Sequence, residues 1–297
     1  MMTSLFYNTK HTIGLYKKRQ QIEIAFLNEQ QKPCFEQLPC AQLSQLPILL
    51  RQRFADKIRN RQKFFYVSCL ESHLLWQKHL LLPHIKQAHE LYRQVRLILQ
   101  QQLPIEPHLL QFDFNATPLQ HIGSARQIDY VQIYAAKKQN VQQQCEQFLP
   151  LRLDILDFHA HALLRAFHYC SQMPTDEATL FLYQDDQQSI LLQQQRDNLL
   201  QIYQKQQPLT ALLQQFQQRQ NSAIQDQKLH CLVYADPTAI EQLRRDCRHH
   251  ITALDPLQYP YFAALGCALW QKTVPTAQLK EKTLRENEVK NAATSLN

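Results

Sequence analysis

The sequence predicts an α/β protein with two lobes of similar plan. A unit of strand, strand, strand and helix occurs in each half of the chain. A strand–helix–strand module near residues 64–136 interrupts the first of these units. With 297 residues, the chain is long enough for two lobes that each bury a core of their own.

In the first half, stretches with an apolar period of two are followed by stretches with the period of a helix. Alternation with β-branched residues predicts strands, whereas apolar residues three and four positions apart predict amphipathic helices. Ser44 is expected to cap the first helix. The predicted elements are strands at 11–17, 22–27 and 34–38, a helix over 44–60, strands at 64–70 and 74–80, a helix over 84–102, and strands at 109–114 and 130–136 around a polar turn that contains Gly123.

The second half repeats this order of elements after a connecting helix. Asp157 is expected to cap a helix that runs through Tyr169, and Pro237 is expected to open a helix at its first position. The predicted elements are a helix over 138–148, a strand at 151–155, a helix over 157–169, strands at 179–183, 189–194 and 199–203, a helix over 208–225, a strand at 229–235, and helices over 237–247 and 259–270. The tail at 271–297 is polar and weakly patterned, so we expect it to be disordered.

Glycine is scarce in this chain. The three glycines are Gly14, Gly123 and Gly266, and they lie too far apart for the glycine-rich motifs of dinucleotide-binding and P-loop proteins. Those motifs need glycine because the backbone must reach positive φ and approach the phosphate closely. The sequence therefore excludes a phosphate cradle built from glycine.

Charge, cysteine and histidine patterns argue against several other classes of function. The net charge of +7 is dispersed and lacks interleaved aromatic residues, which favours a solvated surface over a nucleic-acid footprint. None of the eight cysteines forms a CxxC pair, so zinc and redox sites are not expected. His159 and His161 would face different sides of a helix and could not share a metal ion. Because no signal peptide or membrane span is evident, we expect a cytosolic protein with reduced thiols.

Five segments of the chain carry a resemblance to a known family. They are residues 64–83, 103–114, 129–148, 153–167 and 255–270. The fourth segment, LDILDFHAHALLRAF, resembles the pattern D-V-E-x-x-A-L-x-R-A of PilM, the actin-like cytosolic protein of type IV pilus assembly, through Asp154, Asp157, Ala162, Leu163, Arg165 and Ala166. The ordered set extends over most of residues 10–270. It is most similar to the divergent PilM-like proteins called HofM or ComA.

This resemblance implies a two-lobed actin-like (ribonuclease H-like) ATPase fold of the FtsA variety, with a small subdomain inserted in the first lobe. The strand–helix–strand module falls where that insertion belongs. The chain is then expected to divide into residues 1–63 as the first part of the first lobe, 64–136 as the inserted α/β subdomain, 137–153 as the first-lobe helix and crossover, 154–270 as the second lobe, and 271–297 as the tail.

The positions that bind nucleotide in the PilM family are altered here. In that family, an aspartate holds a metal-bound water and a glycine and a serine bind phosphate, whereas this chain has Tyr16, Lys18 and Arg19 at those positions. The second phosphate turn retains Asp185 but has no glycine, and Ala235 replaces the glycine pair beside the adenosine. The resemblance thus implies a degenerate ATPase that needs no cofactor. Weak ATP binding through the charges at residues 17–19 stays open.

The function implied is a non-catalytic scaffold for a type IV pilus or a competence DNA-uptake machine. Its partner would be a PilN-like inner-membrane protein, whose cytosolic N-terminal peptide would lie in a groove between the first lobe and the inserted subdomain; other pilus platform proteins are further candidate partners. Trp76, Tyr92, Arg93 and Arg96 are the expected groove residues, with a core role as the alternative for Trp76. The chain would be cytoplasmic and held at the inner membrane by its partner, without membrane insertion and without specific nucleic acid.

Two other functions remain open at the level of the sequence. An active actin-like ATPase with an unusual phosphate site would carry nucleotide through purification. A basic nucleic-acid-associated protein would bind DNA with an affinity that falls steeply as salt is added.

Overall fold

The structure is a computed structural model that describes residues 11–53, 64–119, 127–171, 179–195, 198–205, 207–219 and 228–270. These residues form three β-sheets with α-helices packed against them. The predicted turn with Gly123, the end of the first predicted helix and the tail at 271–297 lie outside the described residues. None of the described helices is both long enough and apolar enough to cross a bilayer.

The first lobe is a mixed five-stranded sheet with the strand order β3-β2-β1-β4-β8. β1 and β2 form a hairpin and β3 continues it antiparallel, whereas β4 and β8 add in parallel. The helices α1 and α3 belong to this lobe. The bounds are β1 (His11–Lys18), β2 (Gln21–Leu27), β3 (Pro33–Pro39), α1 (Leu46–Arg53), β4 (Phe64–Leu70), α3 (Lys138–Glu146) and β8 (Ile155–Phe158).

The second lobe repeats this topology with a five-stranded sheet in the order β11-β10-β9-β12-β13. Its first three strands are antiparallel and the last two are parallel, as in the first lobe. The bounds are β9 (Thr179–Gln184), β10 (Gln188–Gln195), β11 (Asn198–Lys205), α5 (Leu209–Arg219), β12 (His230–Tyr234), α6 (Pro237–Asp246) and β13 (His250–Ala253). The predicted pair of similar α/β lobes is therefore confirmed.

The inserted subdomain is a three-stranded antiparallel sheet covered on one face by a helix. Its strand order is β5-β7-β6. Val131, Ile133 and Ala135 point from the central strand toward the buried face of the helix, and Tyr130, Gln132 and Tyr134 point the other way. The bounds are β5 (Trp76–Pro83), α2 (Ala88–Gln102), β6 (Leu110–Leu119) and β7 (Ile128–Lys137).

Two helices lie between the lobes and join their cores. They are α4 (His159–Cys170) and α7 (Phe262–Ala268). One apolar cluster includes Val67 and Cys69 from the first sheet, both helices, and Phe181 and Tyr183 from the second sheet. α7 also contacts β1 and β2. The last helix of the chain thus packs back onto the first lobe.

Two predicted boundaries of the inserted subdomain and second lobe differ from the structure. β4, predicted to open the insertion at residue 64, pairs with β1 in the first sheet, and β8, predicted to belong to the second lobe, pairs with β4. The three-stranded sheet of the insertion spans residues 76–137. Alternation predicts a strand but not its partner, so sheet membership was not readable from the sequence.

Two predicted helix starts are also wrong. Ser44 lies in a short 3₁₀ turn, and α1 begins at Leu46. Asp157 does not cap α4, because it is the third residue of strand β8 and the helix begins at His159. The Asp157 side chain is buried and forms an ion pair with Arg165. Strand pairing with β4 extends the strand past the position where the local signal placed a cap.

Candidate functional site

Three of the predicted nucleotide positions, Tyr16, Lys18 and Arg19, lie at the end of β1 and in the turn between β1 and β2. The hairpin closes after the pair Lys18 and Gln21, which leaves Arg19 and Gln20 in a two-residue turn. Arg19 has a φ of 56°, in the left-handed region, where the first position of such turns favours glycine. The turn therefore keeps a backbone shape typical of glycine but carries a cationic side chain.

The turn between β9 and β10 faces it from the second lobe. Asp185 shapes this turn, because its Oδ1 accepts hydrogen bonds from the backbone N–H groups of Gln187 and Gln188 at 2.8 and 2.9 Å. Its Oδ2 accepts from the Tyr183 hydroxyl at 2.9 Å. The neighbouring Asp186 reaches the first lobe, where Lys18 Nζ lies 3.0 Å from its Oδ1 and Arg19 pairs with its Oδ2. Ion pairs therefore connect the two turns.

Aromatic rings fill the space beneath the two turns. Tyr16 is 2% exposed and stacks on His159, with ring centroids 5.3 Å apart and planes 15° apart. Tyr183 meets the His159 ring edge-on at 5.8 Å, and Gln188 Nε2 donates to the Tyr16 hydroxyl at 3.2 Å. Burial lowers the pKa of His159 to about 4, so the ring is neutral at physiological pH. Tyr16, which the resemblance places at the position of the family's aspartate, is therefore a buried ring packed against the neutral ring of His159.

The last of the predicted nucleotide positions, Ala235, directly follows β12. Ala235 is buried in the core of the second lobe. Asp236 follows as the N-cap of α6, with its Oδ1 accepting from the backbone N–H groups of Thr238 and Ala239, and Pro237 opens the helix as predicted. α6 therefore begins directly after Asp236, and the Ala235 side chain packs in the core of the second lobe.

One buried carboxyl group lies close to the two turns. Glu23 is directly opposite Tyr16 in the β1–β2 pair and is 8% exposed. Burial raises the pKa of Glu23 to about 7; Lys18 opposes this shift, and Asp185 and Asp186 add to it. A carboxyl group with a pKa near 7 therefore lies beside Tyr16, close to the two turns.

A separate cavity of about 260 Å³ lies between the first lobe and the inserted subdomain. Tyr134 and Phe158 stack at its wall with centroids 4.6 Å apart, and His161 packs edge-on against both rings. Asp113 is the one charged side chain among the described residues that line it. The lining residues are Leu70, Leu75, Gln111, Phe112, Asp113, Tyr134, Ala136, Val141, Leu156 and Phe158.

The four predicted groove residues lie elsewhere on the inserted subdomain. Trp76 is half-buried against the apolar core beneath α2, in agreement with the core role given as its alternative. Tyr92 is 48% exposed and stacks on Phe112 at 5.2 Å, and Arg93 and Arg96 are exposed on the outer face of α2. None of the four is among the residues that line the cavity.

The sequence contained a signal for the lining residues that the prediction did not use. The strand YVQIYAA alternates, so its two sets of side chains must point to opposite faces of the sheet. The prediction placed the groove between the first lobe and the inserted subdomain, but three of the residues that it named, Tyr92, Arg93 and Arg96, lie on α2. The structure places Tyr134 and Ala136 on the face that meets the first lobe. Which face meets the first lobe depends on tertiary packing, which alternation does not reveal.

The described residues contain no group of three or more histidine, cysteine or acidic side chains placed to hold a metal ion. The eight cysteines have free thiols, and Cys69 and Cys267 are buried next to each other in the interlobe core. Burial raises the pKa of the Cys170 and Cys231 thiols to about 12. Those two thiols are therefore protonated and packed rather than nucleophilic.

Comparisons with known proteins identify the fold. No protein family profile matches the sequence, and no curated protein sequence matches it. Among solved structures, one titled "PilM-PilN type IV pilus biogenesis complex" superposes with a TM-score of 0.62 at 16% identity, covering 87% of this chain and 97% of that one. A Bacteroides thetaiotaomicron protein of actin-like ATPase fold gives a TM-score of 0.46 at 11% identity, with 90% and 100% coverage. The chain has a two-lobed, PilM-like variety of the actin-like fold, with a subdomain inserted in its first lobe.

Proposed function

We propose that this protein is a non-catalytic scaffold that binds the cytosolic N-terminal peptide of a PilN-like inner-membrane protein. The observation that carries the proposal is the cavity between the first lobe and the inserted subdomain, in a fold similar to that of a protein solved as a PilM-PilN complex. The machine served would be a type IV pilus or a competence DNA-uptake system of the HofM or ComA type. The protein would be cytoplasmic and peripheral at the membrane through this partner.

The lining of the cavity favours a peptide over a small polar substrate. Aliphatic and aromatic side chains make up most of it, including Leu70, Leu156, Phe158 and Tyr134. Its volume suits one large apolar side chain. Asp113 is exposed beside it and uses one oxygen for the Phe114 backbone N–H, which leaves its other oxygen for a lysine or arginine of the ligand.

The arrangement of the two turns supports the non-catalytic part of the proposal. Glycine and an acid at the phosphate turns would provide backbone N–H donors and a metal-bound water. This chain has Arg19 in one turn and uses Asp185 to shape the other. Peptide binding would accordingly be independent of ATP.

Isothermal titration with the synthetic N-terminal peptide of the PilN-like protein tests the proposal, with and without Mg-ATP. Val141→Arg, which fills the cavity from α3, and Asp113→Lys, which reverses the charge beside it, should each weaken binding at least about tenfold. Arg93→Glu, on the outer face of α2, is the matched control and should bind like the wild type.

Three outcomes would count against the proposal or its site. Loss of binding with Arg93→Glu alone would move the site to the outer face of α2. Binding that requires ATP would contradict the expectation that peptide binding is independent of nucleotide. Absence of binding by the wild-type protein would remove the scaffold function.

A further inference from the structure

The contact between the β1–β2 turn and the β9–β10 turn joins Arg19 to Asp186, which are 167 positions apart in the chain. Lys18 and Arg19 lie in the first lobe, and Asp186 lies in the second. The carboxylate of Asp186 receives a different cation on each oxygen, with Lys18 Nζ at 3.0 Å from Oδ1 and Arg19 on Oδ2. This three-residue network is therefore a bridge between lobes.

The network has electrostatic consequences at Asp186. Partial burial alone would raise the pKa of Asp186, but the hydrogen bond from Lys18 and the charges of both cations outweigh burial and lower that pKa. An isolated ion pair between exposed side chains adds little to the stability of a fold. Asp186 pairs with two cations at once, and a network of several charges is expected to contribute measurably to stability.

The layer below the network also connects the lobes. The Tyr16 hydroxyl of the first lobe accepts a hydrogen bond from Gln188 of the second. The His159 ring lies against Tyr16 and Tyr183, one from each lobe. A hydrogen bond and ring contacts therefore continue the connection between the lobes below the ion pairs.

We propose that Lys18, Arg19 and Asp186 form an interlobe latch that holds the two lobes closed without a ligand. The aromatic layer of Tyr16, His159 and Tyr183 is the packed surface on which the latch closes. Opening of the latch would separate the two turns and expose this layer. The proposal concerns the lobes and does not depend on which partner the protein binds.

Charge reversal at Asp186 tests the latch. Asp186→Lys places a third cation against Lys18 and Arg19, so the turns should repel. Amide hydrogen exchange at both turns and at the start of α4 should become roughly tenfold faster, a factor that corresponds to about 1.4 kcal/mol. Small-angle scattering should show a larger radius of gyration. Asp186→Asn should shift both quantities in the same direction by less.

Two further variants separate a latch from a general loss of stability. The triple variant Lys18→Glu, Arg19→Glu and Asp186→Lys restores opposite charges and should return exchange and scattering to wild-type values. Glu241→Lys disrupts the 2.7 Å pair with Arg244 inside α6 and should change neither quantity at the turns. Wild-type exchange in Asp186→Lys, or failure of the triple variant to restore it, would overturn the proposal.

Discussion

At the scale of single residues, Glu23 makes the stability of the protein depend on pH. It is buried opposite Tyr16, and burial raises its pKa from 4.5 to about 7 despite the nearby Lys18. Between these two values, the folded state holds a proton that the unfolded chain has released. Stability therefore falls as pH rises through this window, and above pH 7 the full cost of the buried charge is present.

We expect Glu23→Gln to be more stable than the wild type at pH 8, by about 2–3 kcal/mol, because it removes the cost of ionisation. At pH 4 the advantage should disappear, since Glu23 is then protonated in both states. Urea unfolding at the two pH values measures the difference. Glu29→Gln, in the exposed β2–β3 turn, is the control and should show no such pH-dependent gain. A gain for Glu23→Gln that is equal at both pH values would contradict this explanation.

At the scale of elements, two of the three glycines are used for helix packing. A Cβ at Gly14 in β1 would lie 1.9 Å from the Ala264 carbonyl oxygen of α7, and a Cβ at Gly266 in α7 would lie 1.9 Å from the Ala162 carbonyl oxygen of α4. Each contact is to backbone, which cannot rotate away. The two interlobe helices therefore approach each other and β1 only because these positions lack side chains.

Gly14→Ala should consequently push α7 away from β1 and destabilise the fold by about 1–3 kcal/mol, the usual cost of overpacking. The change is measured as a lower urea midpoint. Gln37→Ala also introduces alanine into the same sheet, but on the exposed side of β3, and should stay within about 0.5 kcal/mol of the wild type. Equal midpoints for the two variants would mean that α7 can shift at no cost.

The elements also show what the sequence can and cannot reveal. The first three strands of each lobe were predictable from alternation, α2 from helical periodicity, and the start of α6 from Pro237, because each of these is a local signal. β13, His250–Ala253, was not predicted, since four residues carry too little pattern. The Asp157 error arose because pairing with β4 overrides a good local capping signal. The meeting of Lys18 and Arg19 with Asp186 depends on how two lobes pack, which no local pattern encodes.

At the scale of the whole molecule, the same topology occurs in both lobes, and the hairpin turns of the two lobes contact each other. The order β3-β2-β1-β4-β8 in one lobe matches β11-β10-β9-β12-β13 in the other. The first hairpin turn of each lobe lies against the other. Lys18 and Arg19 from the first lobe pair with Asp186 from the second, so charged side chains of the chain connect the two lobes directly.

This arrangement predicts that nucleotide does not stabilise the molecule. A ligand present at 100 times its Kd raises the free energy of unfolding by about 2.7 kcal/mol, which would shift the melting temperature by several degrees. We expect Mg-ATP at about 1 mM to leave the melting temperature unchanged, because Tyr16 and His159 occupy the space beneath the turns. The PilN-like peptide should raise that temperature under the same conditions and so serves as the positive control. A shift with Mg-ATP that Lys18→Gln abolishes would show that the cationic turn still binds phosphate, because only a site that includes Lys18 would lose the shift in this way.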